Sequence, residues 1–320
     1  MDIVCQGTIL MDMFPDAVGK RLADVKAFFP TPGGAPANVA VAATRLGRRC
    51  AFIGKVGSDA FGENLIRVMN DNRVDITGMR VDKNVRTTVV FIAMPDENNA
   101  EFVFYRNPGA DLCLRADEID ETLVGSTKAF HCDSLSLVRE PARSAHFHSV
   151  NVAKKAGAII SFDVNYRPSL WDSTSEVQEQ TNKMVSECDV LKVNEIELEL
   201  LTGSSDPEKG ATSLLQRGPQ LVAVTLGPNG SFFCSQKAIG FVASYKVKTI
   251  DAIGCGDAFM AGLLTKLTSG LWLDMLDETN LKSVFRFANA VGAVTALTRG
   301  VIPALPTTQQ VNDFIQKVQE

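Results

Sequence analysis

The sequence predicts an α/β protein built on a largely parallel sheet covered by helices. Short apolar runs that read as buried strands (Ile3 to Gly7, Cys50 to Val56, Lys128 to Cys132, Ala158 to Asp163, Val190 to Val193) alternate with longer segments of helical period. Helical crossovers between such strands favour parallel pairing. The 320 residues, 45% apolar and 22% charged, are enough to bury a sizeable core.

Taken in order, the first strand leads towards Asp12. Strand ends in α/β sheets line ligand crevices, so Asp12 is a candidate for holding a substrate hydroxyl, with a turn or cap aspartate as the alternative. Residues 13 to 31 show no helical period, and Phe28 to Pro32 reads as extended. Pro32-Gly33-Gly34-Ala35-Pro36-Ala37-Asn38 makes a tight turn, with Pro36 suited to a first helical turn and small residues after it for close packing. Asn38 is polar in a helix otherwise built to be buried, so it needs either a local partner or a substrate hydroxyl.

After the strand from Cys50 to Val56 and a helix to about Asn72, two extended segments, Arg86 to Met94 and Glu101 to Arg106, are joined by a polar loop from Pro95 to Ala100. This hairpin interrupts the alternation. With residues 13 to 31 it is expected to form a small sheet, read either as a lid or as an oligomer contact. Helix then strand follow at Pro141 to Ala156 and Ala158 to Asp163. His146 and His148 lie two apart on that helix and share no face, so both read as core or surface residues.

Asp163-Val164-Asn165-Tyr166-Arg167 follows a strand end and could present polar side chains to an anion, as a surface loop also would. Asn194-Glu195-Ile196-Glu197 opens a helix, where acids are favoured by the dipole; the functional alternative sets Asn194 and Glu197 near magnesium or its waters. Gly227-Pro228-Asn229-Gly230 is a turn between two strands, and also a loop that could approach a nucleotide. A long helix from about Leu281 to Leu297 and a final helix from Thr307 close the chain.

The stretch with most chemical content is Asp251-Ala252-Ile253-Gly254-Cys255-Gly256-Asp257, led into by an extended run from Phe241 to Ile250. Gly254 and Gly256 let a ligand approach the main chain. Their N–H groups at a helix N-terminus make an anion hole, and Asp257 beside it is a carboxylate placed to accept a proton. Those two features suit phosphoryl transfer to a hydroxyl; a glycine-packed helix cap is the alternative.

Composition narrows the classes. A net charge of -5 argues against nucleic acid, and no apolar run reaches the ~20 residues of a membrane span. The N-terminus lacks a basic leader and reads directly as a strand. Seven cysteines are scattered singly, with no Cys-x-x-Cys, as expected of reduced thiols in a cytosol, mostly in the core.

Together the motifs resemble the ribokinase-like (PfkB) carbohydrate kinases, and Phe104 to Asp111 is especially similar to fructokinases. Gly33 to Ala40 and Asp251 to Asp257 carry the resemblance, supported by Asp163-x-Asn165-x-Arg167, Asn194-x-x-Glu197, Thr225-x-Gly227-x-x-Gly230 and Asn289. It covers essentially the whole chain. It implies one Rossmann-like three-layer α/β domain over residues 1–320, with a small β-sheet lid from about 13–31 and 86–107, and ATP-dependent phosphorylation of a sugar hydroxymethyl group.

By the same resemblance Asp257 is the general base and the N–H groups of Gly254, Cys255 and Gly256 are the anion hole. Asp12, Gly33, Gly34 and Asn38 hold the sugar, and Arg106 with Arg167 closes on it. Asn194 and Glu197 position Mg²⁺ through water, while Asn194, Thr225, Gly227, Gly230 and Asn289 border ATP. A potassium ion is expected near Asp251 and the loop at Arg299-Gly300. The partners implied are a sugar and ATP, with neither nucleic acid nor membrane, in the cytoplasm, and with a homodimer through the lid.

Three departures stand out. Thr8 replaces a glutamate of many fructokinases, Ala252 replaces a threonine or similar residue, and Cys255 replaces an alanine. Under the helix dipole the Cys255 thiol is expected to lean towards thiolate, so that its modification would inhibit. Alternatives are a kinase for another furanose, a riboside or 2-keto-3-deoxygluconate, and a catalytically silent sugar sensor.

Overall fold

The computed structural model describes residues 1–95 and 101–319. The chain opens with β1 (Ile3–Gln6), β2 (Leu10–Pro15), β3 (Phe28–Gly33), α1 (Ala35–Arg45), β4 (Cys50–Gly57), α2 (Ala60–Asp71) and β5 (Met79–Asp82). A hairpin, β6 (Val89–Ala93) and β7 (Glu101–Tyr105), precedes α3 (Glu121–Gly125), β8 (Ala129–Asp133), α4 (Ala142–Lys155) and β9 (Ile159–Asp163). Then come α5 (Thr174–Val185), β10 (Val190–Asn194), α6 (Glu195–Thr202), α7 (Pro207–Leu215) and β11 (Leu221–Thr225). The last elements are β12 (Gly230–Ser235), β13 (Ile239–Ala243), α8 (Cys255–Leu267), α9 (Glu278–Thr295) and α10 (Thr308–Gln319).

Nine strands make the main sheet in the order β13-β12-β11-β10-β9-β8-β1-β4-β5. Pairing is parallel from β5 through β11 and antiparallel only at the β11–β12 and β12–β13 edge. Each face carries its own core. On one face Ala40, Leu65, Leu263 and Phe285 belong to one buried apolar cluster; on the other Val150, Val177, Leu198 and Leu214 belong to a second. Helix, sheet, helix is therefore the layering, as the alternation predicts.

Four strands form the small sheet, in the order β3-β2-β6-β7. It begins at Leu10, three residues before the expected position, because β1 and β2 are separated by only a short turn. Its apolar face (Leu10, Phe14, Val90, Ile92, Phe102 and Phe104) packs on Val301 and Ile253, beside the glycine turn that opens α8. The expected hairpin is present, β6 and β7 pairing antiparallel, while 96–100 of its loop fall outside the described residues. The extended run predicted to Ile250 is strand only as far as Ala243. Beyond it Tyr245 turns inward, 8% exposed, its ring 5.2 Å from that of Phe314. His146 is fully buried and His148 pairs with Glu121, so neither joins a site.

Candidate active site

The site forms where the C-terminal ends of β1, β8, β9 and β10 meet the first turns of α1 and α8. Gly34 caps α1 with φ 109° and ψ 121°, and Gly254 caps α8 with φ 82°, both in the region that favours glycine. Asn38, in the first turn of α1 and 3% exposed, donates from Nδ2 to Asp257 Oδ2 at 2.7 Å. One hydrogen bond therefore joins the two glycine-rich signatures. Asn38 Oδ1 has no partner among the described residues, leaving an acceptor for a ligand hydroxyl.

Asp257 is crowded by charge. Burial pushes its pKa to about 6 against the pull of the Asn38 bond, with Asp163 adding to the rise. An aspartate open to water ionises at about 4, well below this value. Burial and the nearby Asp257 take Asp12, on β2, to about 7. At neutral pH it can therefore both donate to and accept from a hydroxyl. Asp12 also packs so closely on Gly33 that any side chain there would collide with its carboxylate.

Two charged residues that the sequence reading did not single out complete the floor. Asp133, at the end of β8 and wholly buried, accepts from Asn165 Nδ2 at 3.1 Å, and burial raises it to about 7. Lys192 on β10 grips Asp163, its Nζ 3.0 and 2.9 Å from the two oxygens. A lysine inside the apolar strand Val190-Leu191-Lys192-Val193 is the signal that would have flagged it, because lysine is almost never fully buried unpaired. Asn165 adopts φ 42°, an uncommon conformation that costs energy outside glycine and concentrates at functional sites.

Arg167 lies over the Phe102 ring at 5.6 Å, tying the β9 loop to the small sheet at the crevice mouth. Arg106 is anchored within the protein. Its guanidinium donates from Nε to Asp111 Oδ2 at 2.8 Å, and from Nη2 to the same oxygen and to the Leu135 carbonyl. Arg106 is thus tied at the base of the small sheet by Nε and Nη2, while its buried Nη1 has no partner among the described residues and stays available to a ligand oxygen. Asp111, five residues away, offers the desolvated guanidinium its counter-charge.

Asn194 and Glu197 form a reciprocal capping box at α6: Asn194 Oδ1 accepts from Glu197 N at 2.9 Å, and Glu197 Oε2 from Asn194 N at 2.7 Å. The other Glu197 oxygen accepts from Tyr166 N, and the residue is 1% exposed. Each carboxylate oxygen thus has one backbone donor, so Glu197 holds both a helix start and the 163–167 loop. Among the described residues no group of three or more His, Cys, Asp or Glu is placed to hold a metal. This donor set fits a Mg²⁺ carried mainly by phosphate oxygens and water, not an all-protein cage.

Asp251 Oδ1 accepts from Ile253 N and Oδ2 from Gly300 N, each at 3.0 Å, bringing together the segment before α8 and the later loop named for a monovalent cation. Thr225, Gly227 and Gly230 edge the same end of the sheet. Asn289 on α9 accepts from Ser231 Oγ at 2.9 Å and donates to the Val242 carbonyl at 3.1 Å, pinning β12 and β13.

Cys255 reverses its expectation. Burial, with Asp251 and Asp257 close by, pushes its thiol up to about 12, and Sγ lies 3.8 Å from the Asp251 carbonyl. Two carboxylates and a low-dielectric setting outweigh the helix dipole. At pH 7 the thiol is thus held in its protonated form. Iodoacetamide on the native protein is therefore expected to leave Cys255 unmodified by mass spectrometry; fast alkylation there would contradict this.

The profile of the "pfkB family carbohydrate kinase" matches residues 1–308. A fructokinase-2 of Solanum habrochaites is 43% identical over 309 residues, spanning 96% of this chain and 94% of that protein. Among solved structures, a fructokinase with bound ATP from Xylella fastidiosa superposes with TM-score 0.89 at 31% identity, covering 100% of this chain and 99% of the other. A Vibrio cholerae O395 fructokinase double mutant in a fructose-, ADP- and potassium-bound form gives TM-score 0.87 at 32% identity, covering 98% and 97%.

Proposed function

Because the chain belongs to the pfkB family of carbohydrate kinases, we propose that this sugar kinase phosphorylates the hydroxymethyl group of fructose with ATP. The 2.7 Å bond from Asn38 to Asp257 carries the reading: it sets a base from one glycine signature beside a hydroxyl-reading amide from the other. Asp257 takes the hydroxyl proton, and the N–H groups of Gly254, Cys255 and Gly256 face the charge that builds on the phosphoryl group, that of Cys255 shared with the Ala252 carbonyl at 3.3 Å. Asp12 and Asn38 hold sugar hydroxyls, with Gly33 and Gly34 keeping the main chain close. Arg106, through its unpartnered Nη1, and Arg167 close on the sugar, with the small sheet as lid.

When bound, Mg-ATP supplies the phosphoryl group and charge neutralisation; Asn194, Thr225, Gly227, Gly230 and Asn289 border the nucleotide. Asn194 and Glu197 act on the magnesium through its water shell. A potassium ion beside Asp251 would steady the α8 turn. Seven unpaired cysteines suit a reducing cytoplasm, and the exposed Phe29 and Tyr105 of the small sheet, 59% and 66% open, suit a homodimer across it. No helix among the described residues is long and apolar enough to cross a membrane.

The test is ADP release with Mg²⁺, K⁺ and ATP against fructose, ribose, tagatose, 2-keto-3-deoxygluconate, adenosine and aminoimidazole riboside. Fructose is expected to give the highest kcat/KM. Faster turnover of another member would replace the substrate, and silence with sugar binding retained would favour the sensor.

The pH profile should follow Asp257. Only the ionised carboxylate accepts a proton, so with a pKa of about 6 activity is present above that value and lost as pH falls through it. The kcat/KM for sugar is expected to drop about tenfold per unit on the acid limb. A profile flat down to a pH of about 4.5 would exclude Asp257 as the base.

A further inference from the structure

Lys192 and Asp163 stand opposite each other in register on neighbouring core strands, 6% and 2% exposed. A buried ion pair is a weak stabiliser, since desolvation of two charges offsets their attraction. The pair therefore calls for a reason other than stability. The Lys192 ammonium carries three N–H groups. Asp163 accepts two, and among the described residues no other acceptor bonds Nζ.

The ammonium also reaches under the first turn of α8. A Cβ placed on Gly256 would stand 3.2 Å from Lys192 Nζ and 3.9 Å from its Cε, with nothing else within 4 Å. The open side of this glycine is thus filled by a cation. Burial would lower the lysine's pKa, yet Asp163 and Glu197 outweigh it and the net shift is upward. Lys192 stays charged.

On the kinase reading given above, we propose that Lys192 is a further catalytic residue: its uncommitted N–H donates to an oxygen of the phosphoryl group in flight, and position 256 is glycine to let the ammonium reach it. In the step, the bond from the γ-phosphorus to the ADP oxygen breaks and the bond to the sugar oxygen forms. The hydroxyl proton goes to Asp257, and Lys192 keeps its own protons throughout. The peptide N–H groups of the turn are neutral donors; a charged donor beside them is about twice as strong.

A double-mutant cycle on the full-length enzyme tests this, using Lys192→Met and Gly256→Ala with fructose and Mg-ATP. Three quantities are read: kcat, KM for sugar, and inhibition by ADP with aluminium fluoride, which mimics the planar phosphoryl group. Lys192→Met is expected to lower kcat on the order of 10²-fold and to weaken the mimic by a similar factor, with KM for sugar nearly unchanged. Gly256→Ala favours the helix but displaces the ammonium. It should lower kcat in the native background and add little in the Lys192→Met background.

Lys192→Met leaves Asp163 without its counter-charge and could misfold, so Lys192→Met/Asp163→Asn, which buries no charge, is measured beside it and should show the same losses. The proposal is overturned by native-like turnover in that double variant, by a kcat loss with undiminished mimic affinity, or by additive effects of the two single changes. Native enzyme that turns over no sugar would defeat the kinase reading and this one together. Native turnover with Lys192 variants unimpaired defeats this one alone.

Discussion

Asp257→Asn is expected to lower kcat by about 10²–10⁴-fold, the usual contribution of a positioned base, and to leave the fold in place. The amide oxygen can still accept the bond from Asn38 Nδ2, so the α1–α8 contact survives the change. What disappears is the capacity to take a proton. Because burial already holds this carboxylate up at about 6, removing its charge relieves a desolvation cost. The variant should unfold at or above the temperature of the parent. The measurements are ADP release with saturating fructose and a thermal melt; retention of more than about a tenth of kcat would remove Asp257 from the role of base.

Gly34→Ala should damage both stability and sugar use. At φ 109° and ψ 121° any side chain is strained, by about 1–3 kcal/mol on backbone grounds alone. Collision adds to this: the new Cβ would fall 2.5 Å from the Thr8 carbonyl oxygen and 2.8 Å from Ile9 Cα. Both neighbours are main chain and cannot rotate away. Relief must come from shifting the start of α1, where the Gly34 carbonyl accepts from Asn38 N at 2.8 Å, and that shift moves the Asn38 amide off Asp257. Urea unfolding should show the lost stability, and kcat/KM for sugar should fall more than about tenfold in whatever still folds, since an ångström of misplacement can cost ~10²-fold. Parent-like values of both would mean that the turn bends without consequence.

The fold was legible because buried parallel strands and helices differ in length and period, and the glycine turns were legible because few residues tolerate their backbone angles. Asn38 and Asp257 stood out as polar groups in otherwise apolar helix starts. Local sequence could not show which polar groups choose each other. Sequence order does not show that Arg106 spends two of its nitrogens on Asp111, or that Glu197 takes one donor on each oxygen from Tyr166 and Asn194. Cys255 was misjudged because the dipole is visible in sequence order, whereas the burial and flanking carboxylates that overcome it arise from packing. Lys192 was passed over for the same reason: its counter-ion comes from the neighbouring strand.

The bond between Asn38 and Asp257 spans 219 positions, so the two groups that the proposed mechanism joins come from opposite parts of the chain. During synthesis the Asn38 half waits, exposed, while nearly all of the main sheet is assembled beside it. Contacts of such long separation are closed late, after their loop entropy has been met by nearer ones. On the mechanism proposed above, activity in a growing chain switches on only once α8 has docked against α1. Turnover is then a reporter of completed assembly: a chain stalled before Asp257 can fold much of its sheet and still lack the carboxylate proposed as its base.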